Sequence, residues 1–433
     1  MPKSIVAQTR IADLGAPRII VIGGGFAGLE VVRNLKYAKA QVVLFDLHNH
    51  HTFQPLLYQV ATSGLETSSI VFPLRKRFAH RPNFYFRLGE VKHITPSEHT
   101  IETSIGKARY DYLVIASGAR TNFYGMSDVE KNSMSMKTIE DSIQMRNHIL
   151  RNMENALLVE DKEQMNSFMD YVIVGGGPTG VELAGAFAEL KSHVFPKDYN
   201  ELDLSHMDIH LIEAGPRLLN GMSEKASAKA LQYLKEMSVD VRLNCAVKSY
   251  DGYELKINEN ERLISRTVVW AAGVKGNPID GLGEGAVTRG NRLLVDSCNR
   301  VKGHENIFAI GDVALMEGDP DFPKGHPQMA PGAMQQGKHL ADNLRRLIEK
   351  KEPRPFRYKD KGSMATVGRN RAVVDMGAFS SQGFFAWFIW MFIHLLSITG
   401  FKNKIFTFFS WFFSYLSYDR SNRLIIGKPR NEL

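Results

Sequence analysis

The chain is poor in cysteine, with only Cys245 and Cys298 among its 433 residues. A disulfide scaffold or a cysteine-ligated metal site needs clustered cysteines, so both classes of protein are excluded. Charged residues make up 23% of the chain and the mean hydropathy is -0.21, which excludes a polytopic membrane protein and a largely disordered chain. The length instead predicts two or three domains with a large shared core.

An apolar run of signal-peptide length is missing from residues 1–17, which contain Lys3, Arg10 and Asp13. We therefore expect an unexported, cytoplasmic protein in a reducing compartment, with both thiols free. The chain also lacks a row of charged residues within an apolar bundle, so proton pumping is not expected.

Acidic residues are scarce in the last 50 residues, 384–433, where Asp419 and Glu432 stand against six lysines and arginines. This segment holds half of the net charge of +8, three of the four tryptophans and ten of the 25 phenylalanines. Such a mixture of basic and aromatic residues is typical of a surface that meets a membrane. No nucleic-acid partner is expected, because no recognition module accompanies the charge.

The most informative pattern that is present is an internal repeat. Residues 19–30 read IIVIGGGFAGLE and residues 171–182 read YVIVGGGPTGVE, an offset of 152 residues. Each copy is a β-branched run, a glycine turn and a stretch with helical periodicity, the context that a dinucleotide-binding G-x-G-x-x-G requires. A glycine turn without a ligand is the alternative, and two correctly placed copies argue against it. The motif glycines are Gly23, Gly25 and Gly28 in the first copy, and Gly175, Gly177 and Gly180 in the second.

Each copy is followed by a second strand that ends in an acidic residue. The segment QVVLFD supplies Asp46, 23 residues after Gly23, and DIHLIE supplies Glu213, 38 residues after Gly175. Such an acid binds the ribose hydroxyls of a dinucleotide. The longer spacing in the second copy predicts a longer helix or an insertion near residues 196–206. Because a carboxylate repels a 2′-phosphate, Glu213 favours NADH over NADPH.

Two nucleotide sites in one chain indicate a flavin and a nicotinamide nucleotide. Buried strands that end in small residues are predicted at 110–119 and 266–274, and a third at 306–314 ends in Gly311-Asp312, where a carboxylate suits flavin oxygens. This order predicts an α/β fold of two Rossmann-like dinucleotide-binding domains, the second inserted in the first, plus a C-terminal membrane-anchoring helical region. The predicted bounds are 15–125 and 290–345 for the FAD domain, 165–285 for the NADH domain and 346–433 for the C-terminal region, with helices at 384–398 and 405–418.

Four longer motifs resemble a known family. They are NHHTFQPLLYQVA (49–61), GGGPTGVELAG (175–185), WAAGV (270–274) and APGAMQQG (330–337). Together with the glycine turns, ASGA and IGD, they resemble the type II NADH dehydrogenases, which are single-subunit NADH:quinone oxidoreductases among the two-dinucleotide-binding-domain flavoproteins. The resemblance covers about residues 18–380, and the motifs occur in the family's order. It implies that hydride passes from NADH to non-covalently bound FAD, and that two electrons then pass to a membrane quinone.

The repeat and the resemblance together assign roles to particular residues. The segment that matches residues 50–61 would run beneath the isoalloxazine ring. The residues expected to bind FAD are Gly23, Gly25, Gly28, Asp46, Gln54, Ser117, Gly118, Gly311 and Asp312. The residues expected to bind NADH are Gly175, Gly177, Gly180, Glu182, Glu213 and Gly273. The residues expected to bind quinone are Ala330, Pro331, Gln335 and Gln336, and those expected to act in catalysis are Glu182 and Gln335.

Glu182 has two competing interpretations. It lies in the first turn of the helix after the second glycine turn, where the helix dipole alone favours a carboxylate by about 0.3–1 kcal/mol. The resemblance instead implies that Glu182 lies at the nicotinamide–flavin junction and helps to orient NADH. Glu30 has the same register in the first copy, so helix geometry can account for an acid at this position.

The quinone motif departs from the family's pattern of Ala-Gln followed after three residues by Gln. This chain has Pro331 after Ala330, and then Gln335 and Gln336. The missing amide would change the contact with the quinone head group. Pro331 suits the first turn of a helix that ends near Leu347, and the positive end of that helix would stabilise an anionic reduced flavin.

Other chemistries need residues that this chain lacks. Disulfide reductases need a cysteine pair on the first helix and sulfide:quinone oxidoreductases need cysteines beside the flavin, whereas Cys245 and Cys298 lie in other segments. A metal site from His48, His50 and His51 is a further alternative. Adjacent histidines point apart and no partner cluster accompanies them, so no metal is expected.

The tail contains two apolar segments, FFAWFIWMFIHLLSI (384–398) and IFTFFSWFFSYLSY (405–418). As helices they would span roughly 22 and 21 Å, short of the ~30 Å hydrocarbon core of a bilayer. Their tryptophans, tyrosines and flanking basic residues favour helices that lie in the membrane interface. A spanning segment and a buried pair of core helices are the alternatives. The basic residues between and after the two segments are Lys402, Lys404, Arg420 and Arg423.

The whole pattern predicts a peripheral membrane NADH:quinone oxidoreductase at the cytoplasmic face of the inner membrane. The resemblance implies docking through the C-terminal part, quinone access at the same place and a homodimer. A soluble-acceptor NADH oxidase or diaphorase with the same flavin site is one alternative. An NADH-sensing interaction protein whose tail binds a partner is the other.

The role given to Glu213 makes a first prediction. Glu213→Gln removes the charge that repels a 2′-phosphate, so the ratio of kcat/KM for NADH to that for NADPH should fall by about tenfold. Arg217, four residues on, already weakens the preference and is left unchanged in the variant. Steady-state kinetics with both nucleotides provide the measurement, and an unchanged ratio would remove Glu213 from this role.

Overall fold

The chain divides into two compact units in the computed structural model, which describes residues 9–283, 285–288, 290–420 and 422–427. The segment Thr121–Gly273 of the second unit is inserted in the sequence of the first, as predicted. The first unit comprises Met1–His51, Phe72–Arg120 and Val274–Asp360, and the second comprises Thr52–Val71, Thr121–Gly273 and Lys361–Leu433.

The first unit is built on a five-stranded parallel sheet. Alternate residues of its strands enter two separate apolar clusters, one on each face, because the sheet is covered on both sides. The first glycine helix, Phe26–Asn34, follows the first strand and packs against the helix Ala330–Ile348. The strands lie in the order Ile307–Ala309, Tyr112–Ile115, Arg18–Ile22, Gln41–Asp46 and Phe84–Leu88.

The second unit repeats this arrangement with a four-stranded parallel sheet. The second glycine helix, Pro178–Glu189, follows a strand that is buried throughout. The α/β prediction of two Rossmann-like units is confirmed. The strands lie in the order Asp240–Arg242, Ile209–Ile212, Tyr171–Val174 and Thr267–Trp270, and a separate antiparallel sheet contains Val247–Tyr250, Glu254–Ile257 and Glu261–Ile264.

Extra helical turns explain the longer spacing before Glu213. After the second glycine helix the chain forms a π-helical turn at Leu190–Val194, a short helix at Phe195–Asp198 and a 3-10 turn at Leu204–His206. The first copy has no counterpart to these turns between Asn34 and Gln41, within the residues described there. The insertion predicted near residues 196–206 is present.

The remaining elements are mostly short. The other strands are His50–Thr52, Val71–Pro73, Val91–Thr95, Thr100–Thr103, Gly106–Arg109, Ala119–Thr121, Val274–Gly276, Leu293–Val295 and Ala314–Met316. The other helices are Leu57–Ala61, Thr67–Ile70, Leu74–Arg77, Ser127–Asn132, Ile139–Ala156, Lys162–Met169 and Glu224–Glu236. The other 3-10 turns are Gln54–Leu56, Pro96–Glu98 and Gly311–Val313.

The C-terminal part belongs to the second unit. It consists of an antiparallel sheet, called here the C-terminal sheet, and two tail helices. The first tail helix is Phe384–Ser397 and the second is Phe401–Ser417. The first packs against the C-terminal sheet and the second against the helix Thr67–Ile70. The strands of the C-terminal sheet are Ser363–Thr366, Ala372–Met376 and Phe379–Gln382.

The start of the second tail helix differs from the prediction. It begins four residues earlier, after Gly400 at φ 93°, so Lys402 and Lys404 lie in its first turn and not in a linker. The apolar pattern starts only at Ile405, which is why the sequence pattern missed this turn.

The tail helices are largely uncovered. Fifteen large apolar or aromatic side chains between Phe384 and Tyr418 are exposed, so the alternative of a buried pair of core helices is wrong. Ala386 and Trp390 are the buried residues of the first tail helix, and Thr407 is that of the second. Within the described residues, every helix is too short or too polar to cross a membrane.

Candidate nucleotide sites and the cavity beside Glu182

The two glycine turns have the same geometry. Gly23 and Gly175 have φ of 101° and 114°, a backbone conformation that favours glycine. A Cβ on Gly28 would lie 1.9 Å from the Gly23 carbonyl oxygen, and a Cβ on Gly180 would lie 1.9 Å from the Gly175 carbonyl oxygen. Each helix therefore starts directly against its turn, and the free N–H groups of a helix start can bind a phosphate.

The middle position of each motif, by contrast, has open space around it. An added Cβ on Gly25 or Gly177 would have no heavy atom within 4 Å. Both residues are the N-caps of their helices and carry no side chain that could occupy the first turn. This space is what a dinucleotide pyrophosphate needs for close approach to the backbone.

The acids at the second strand ends are held by their own glycine turns. Asp46 accepts hydrogen bonds from the Gly24 N–H at 2.5 Å and from the His48 N–H at 2.6 Å. Glu213 accepts hydrogen bonds from the Gly176 N–H and the Gly215 N–H, both at 2.6 Å. Burial raises the pKa of Asp46 despite its two amide partners, which favour the charged form. The repeat thus extends to the carboxylate contacts, which sequence spacing did not reveal.

Other residues assigned to FAD lie around the turns of the first unit. Gly118 has φ of 71° and open space around it, and the Ser117 hydroxyl donates to the Asn277 carbonyl at 2.5 Å. Gly311, at φ 73°, and Asp312 form the 3-10 turn after the strand Ile307–Ala309.

Gln54, which is assigned to FAD, lies in the second unit, as does Gly273, which is assigned to NADH. Gln54 begins a 3-10 turn and donates through Nε2 to the Lys137 carbonyl at 3.2 Å. Gly273, at φ 149°, follows the strand Thr267–Trp270, and a Cβ there would lie 2.5 Å from the Tyr124 hydroxyl. All the residues assigned to NADH belong to this unit.

The two glutamines of the predicted quinone motif are engaged within the first unit. Gln335 exchanges hydrogen bonds with the backbone of Lys359, at 2.9 Å to its carbonyl and 3.1 Å from its N–H. Gln336 is buried, accepts from the Gly311 N–H at 2.6 Å and has Nε2 at 3.3 Å from His326 Nδ1. Ala330 and Pro331 begin the helix Ala330–Ile348, as predicted. A quinone contact from either glutamine would have to share its amide with these partners.

Glu182 differs from its counterpart Glu30 in its partners. Glu30 pairs with Arg33 at 2.6 Å and also meets the Asn34 amide at 3.2 Å. Glu182 instead accepts from two neutral donors, the Trp390 indole N–H at 3.1 Å and the Thr366 backbone N–H at 3.4 Å. The shared helical register therefore does not give the two acids the same environment.

Burial controls the ionisation of Glu182. The residue is 8% exposed, and desolvation raises the pKa of its carboxyl to about 8, against the two hydrogen bonds that favour the charged form. Burial therefore favours the protonated form of this carboxyl. A perturbed acid beside a cavity is typical of a functional site.

Close backbone approach brings Thr366 to Glu182. A Cβ on Gly185 would lie 2.6 Å from the Gly368 backbone nitrogen, so the second glycine helix contacts the turn of the C-terminal sheet directly. Arg369 in the same turn donates its backbone N–H to Glu189 at 2.5 Å. The motif GGGPTGVELAG thus contains a fourth structural glycine, whose partner is far away in sequence.

A polar cluster missed by sequence reasoning surrounds Glu182. The Tyr58 hydroxyl lies 3.2 Å from Thr366 Oγ1 and accepts from Gln59 Nε2 at 3.0 Å. Gln59 in turn accepts from the Trp411 indole N–H at 2.7 Å. Tyr58 and Gln59 belong to the motif at 49–61, which was the one available signal.

A cavity opens between Glu182 and the tail helices. It has about 660 Å³ of empty space, including the part that is open to solvent. Its walls come from the helix Leu57–Ala61, the second glycine helix, the C-terminal sheet and both tail helices. The side chains that line it include Tyr58, Gln59, Glu182, Trp387, Trp390, Met391, Trp411 and Tyr415.

The charged residues Arg420 and Glu189 are part of the lining of this cavity, and Arg423 lies outside it. Arg420 pairs with Glu189 at 2.5 Å and donates to the Thr62 carbonyl at 2.9 Å. Arg423 pairs with Asp198 at 2.5 Å. These two arginines therefore contact carboxylates of their own unit.

Comparison with known proteins gives one consistent result. The model of the pyridine nucleotide-disulphide oxidoreductase family matches residues 17–337, and that of the NDH2 C-terminal domain matches residues 361–418. The chain is 32% identical over 431 residues to the type II NADH:quinone oxidoreductase NdhA of Mycobacterium tuberculosis, covering 96% of this chain and 90% of the relative. It is 33% identical over 423 residues to Ndh of the same organism, with coverage of 94% and 90%. The solved structure of NDH2 from Plasmodium falciparum in complex with NADH has a TM-score of 0.86 at 22% identity and covers 95% of this chain and 100% of that chain.

The glycine geometry predicts opposite outcomes for two neighbouring substitutions. Gly180→Ala places a methyl group against a backbone oxygen and should lower the Tm by more than about 5 °C or abolish soluble expression. Gly177→Ala meets open space and should keep the Tm within about 2 °C, while the methyl group raises the KM for NADH. Thermal melting and steady-state kinetics on both variants check this. Equal Tm values for the two variants would contradict the tight approach at Gly180.

Proposed function

Because the chain belongs to the type II NADH:quinone oxidoreductases, we propose that it oxidises NADH at the second unit and reduces a quinone that arrives through the cavity beside Glu182. The enzyme class, the NADH and quinone substrates and the flavin follow from family membership. The residue roles and the membrane side are the proposed part. The observation that carries the quinone route is the position of the cavity, between a buried acid whose pKa is raised and two exposed aromatic helices.

The first unit fits FAD. The open space at Gly25 and Gly118 and the close packing at Gly28 form a cradle for a dinucleotide, and Asp46 stands ready for ribose hydroxyls. The start of the first glycine helix would hold the pyrophosphate, and Asp312 would meet the ribityl chain. FAD, when bound, accepts hydride from NADH and passes two electrons to quinone.

The second unit fits NADH in the same way. Gly177 leaves room for the pyrophosphate, and Glu213 would accept hydrogen bonds from the adenosine ribose through oxygens that its own turn orients. Holding the nicotinamide in a fixed pose is the main task of these residues, because hydride transfer depends on position. Glu182 contributes to this orientation from the same helix.

Glu182 also has a proton to give. Reduction of a quinone to a quinol takes two electrons and two protons, and hydride supplies both electrons and one proton. The carboxyl of Glu182, with its pKa raised to about 8, would supply the second proton to a quinone oxygen at neutral pH and regain it from solvent. The reaction as proposed needs no pumping of protons across the membrane.

The tail helices support the membrane part of the proposal. Their exposed face contains fifteen large apolar or aromatic side chains, whereas Arg420 and Arg423 are paired with carboxylates. Basic residues near a lipid surface contribute about 1 kcal/mol each, and salt screens them. A dozen half-buried apolar side chains at ~1 kcal/mol each contribute more. Lipid contact is therefore mainly hydrophobic.

The membrane side and the assembly complete the proposal. We place the enzyme on the cytoplasmic face of the inner membrane, where NADH is available to a peripheral enzyme. A homodimer accords with the family resemblance. The exposed aromatic face of the tail is assigned to lipid and not to the second copy.

Quinone-dependent turnover tests the proposed function. NADH consumption by the full chain should rise at least tenfold over the oxygen background when a water-soluble quinone analogue is added, because quinone is the intended electron acceptor. Absorbance at the NADH band measures it. Turnover at no more than the oxygen background would overturn the proposal and favour an oxidase or a sensing protein.

The membrane contact predicts resistance to salt. Vesicle-bound protein should remain bound in 1 M NaCl and be released by detergent, since apolar burial outweighs charge. The double change Phe412→Glu and Phe413→Glu, on the exposed face of the second tail helix, should abolish sedimentation with vesicles. Lys402→Gln with Lys404→Gln is the matched control on the same helix and should weaken binding only slightly. Complete release of the unchanged protein by salt would contradict a hydrophobic anchor.

A further inference from the structure

Each tail helix inserts one tryptophan into the polar cluster beside the cavity. Trp390 of the first tail helix is 1% exposed and donates its indole N–H to Glu182 Oε1 at 3.1 Å. Trp411 of the second tail helix donates its indole N–H to Gln59 Oε1 at 2.7 Å. The same helices that carry the exposed aromatic face therefore also complete the surroundings of the buried acid.

Both donors of Glu182 converge on one oxygen. The Trp390 indole and the Thr366 backbone N–H each point to Oε1, at 3.1 and 3.4 Å. This arrangement restricts the orientation of the carboxyl, and we expect Oε2 to be the oxygen that meets an occupant of the cavity. The Thr366 donor is part of a sheet, whereas the indole belongs to a helix with few buried residues.

We propose that Trp390 is a positioning residue for Glu182. The position of the first tail helix then determines the orientation of this carboxyl toward the substrate. The inference rests on the proposed role of Glu182. Trp390 itself acts through Glu182 and has no part in the chemistry. The first tail helix would then orient a residue of the site, in addition to the anchoring role proposed for the tail.

The packing of Trp390 explains how a movement of the first tail helix would reach Glu182. Its ring stacks on His394 at a centroid distance of 4.0 Å and lies 5.9 Å from the ring of Trp411. Phe388 and Phe392, two residues away on either side, are 53% and 54% exposed on the outer face. A helix is rigid over this length, so a shift of the outer face moves the indole and its hydrogen bond together.

The groups around Glu182 do not obscure its ionisation in a pH titration. The pKa of Tyr58 is raised far above its ordinary value by burial and by the negative charge of Glu182, and burial lowers the pKa of His394 to about 4, so both stay neutral between pH 6 and 9. Glu189, on the same helix as Glu182, is paired with Arg420. Arg369, in the turn of the C-terminal sheet, donates to the carbonyls of Ser414 and Tyr415 at the end of the second tail helix. Among the groups named here, Glu182 is the one whose pKa, about 8, is placed within this range.

The test is the pH profile of quinone reduction by the full chain with Trp390→Phe. The indole N–H favours the charged carboxylate, so its loss should raise the pKa of Glu182 further above 8. The alkaline midpoint of kcat should move up by about one pH unit, the effect of one buried hydrogen bond. A midpoint that stays in place would overturn the proposal.

Trp411→Phe is the matched control. It removes the other tail indole N–H, which binds Gln59 and not Glu182, so the alkaline midpoint should stay where it is whatever happens to the rate. An equal shift in both variants would assign the effect to loosened tail packing and would overturn a specific role for Trp390.

Glu182→Gln separates the inference from the proposed function. This variant should abolish the alkaline break, because the titrating group is gone. If the break persists, the proton-donating role of Glu182 is wrong and the inference fails with it. If the break is lost in Glu182→Gln but unmoved in Trp390→Phe, the role of Glu182 stands and the inference alone fails.

Folding of the variant is checked separately. FAD content and melting temperature establish that Trp390→Phe is folded. If it is not, benzothienylalanine at position 390 keeps the ring size without the N–H. Infrared titration of the protonated carboxyl band that Glu182→Gln removes gives the same midpoint without turnover. The band should titrate about one pH unit higher in the variant, and an unchanged titration would refute the positioning role.

Discussion

A carboxylate hydrogen-bonded to the amide of a glycine turn holds each nucleotide unit in its shape. Asp46 and Glu213 make this contact in the two units, and each joins the end of the second strand to the turn after the first. The bond requires the turn to be tight, and the turn is tight only because Gly28 and Gly180 let their helices start against it. The contact fixes the position of the acid that is proposed to bind ribose, directly beside the glycine turn. The acid is thus oriented before any nucleotide arrives.

Much of the fold could be predicted from the sequence because the information is local. The glycine turns, the strands beside them and the insertion before Glu213 depend on spacing and on hydrophobic periodicity, which a sequence shows directly. The start of the second tail helix was missed because the polar residues Lys402 and Asn403 interrupt the apolar pattern in its first turn. The pairing of Arg420 with Glu189 was missed because 231 residues separate them.

The candidate site was harder to predict than the fold. Glu182 could be singled out by position, but its character comes from Trp390, 208 residues away, and from burial that no local pattern shows. Its register partner Glu30 looks equivalent in sequence and is an ordinary ion-paired acid in the structure. Gln335 and Gln336 show the opposite case, since a motif suggests ligand contact and the structure shows both amides already bound within the protein. A sequence motif locates a residue, but the hydrogen-bond and ion-pair partners of its side chain determine its chemical role.

The pairing of Arg420 and Arg423 with Glu189 and Asp198 has a consequence for where this enzyme can work. Arginines that pair with internal carboxylates are not available to anionic headgroups, so in the proposed membrane contact the attachment of the tail would depend little on these two charges. A protein held as proposed would bind membranes of different headgroup composition and would diffuse in the same plane as its substrate. Its encounters with quinone would then be a two-dimensional search, whose rate depends on the quinone concentration and not on the local surface potential.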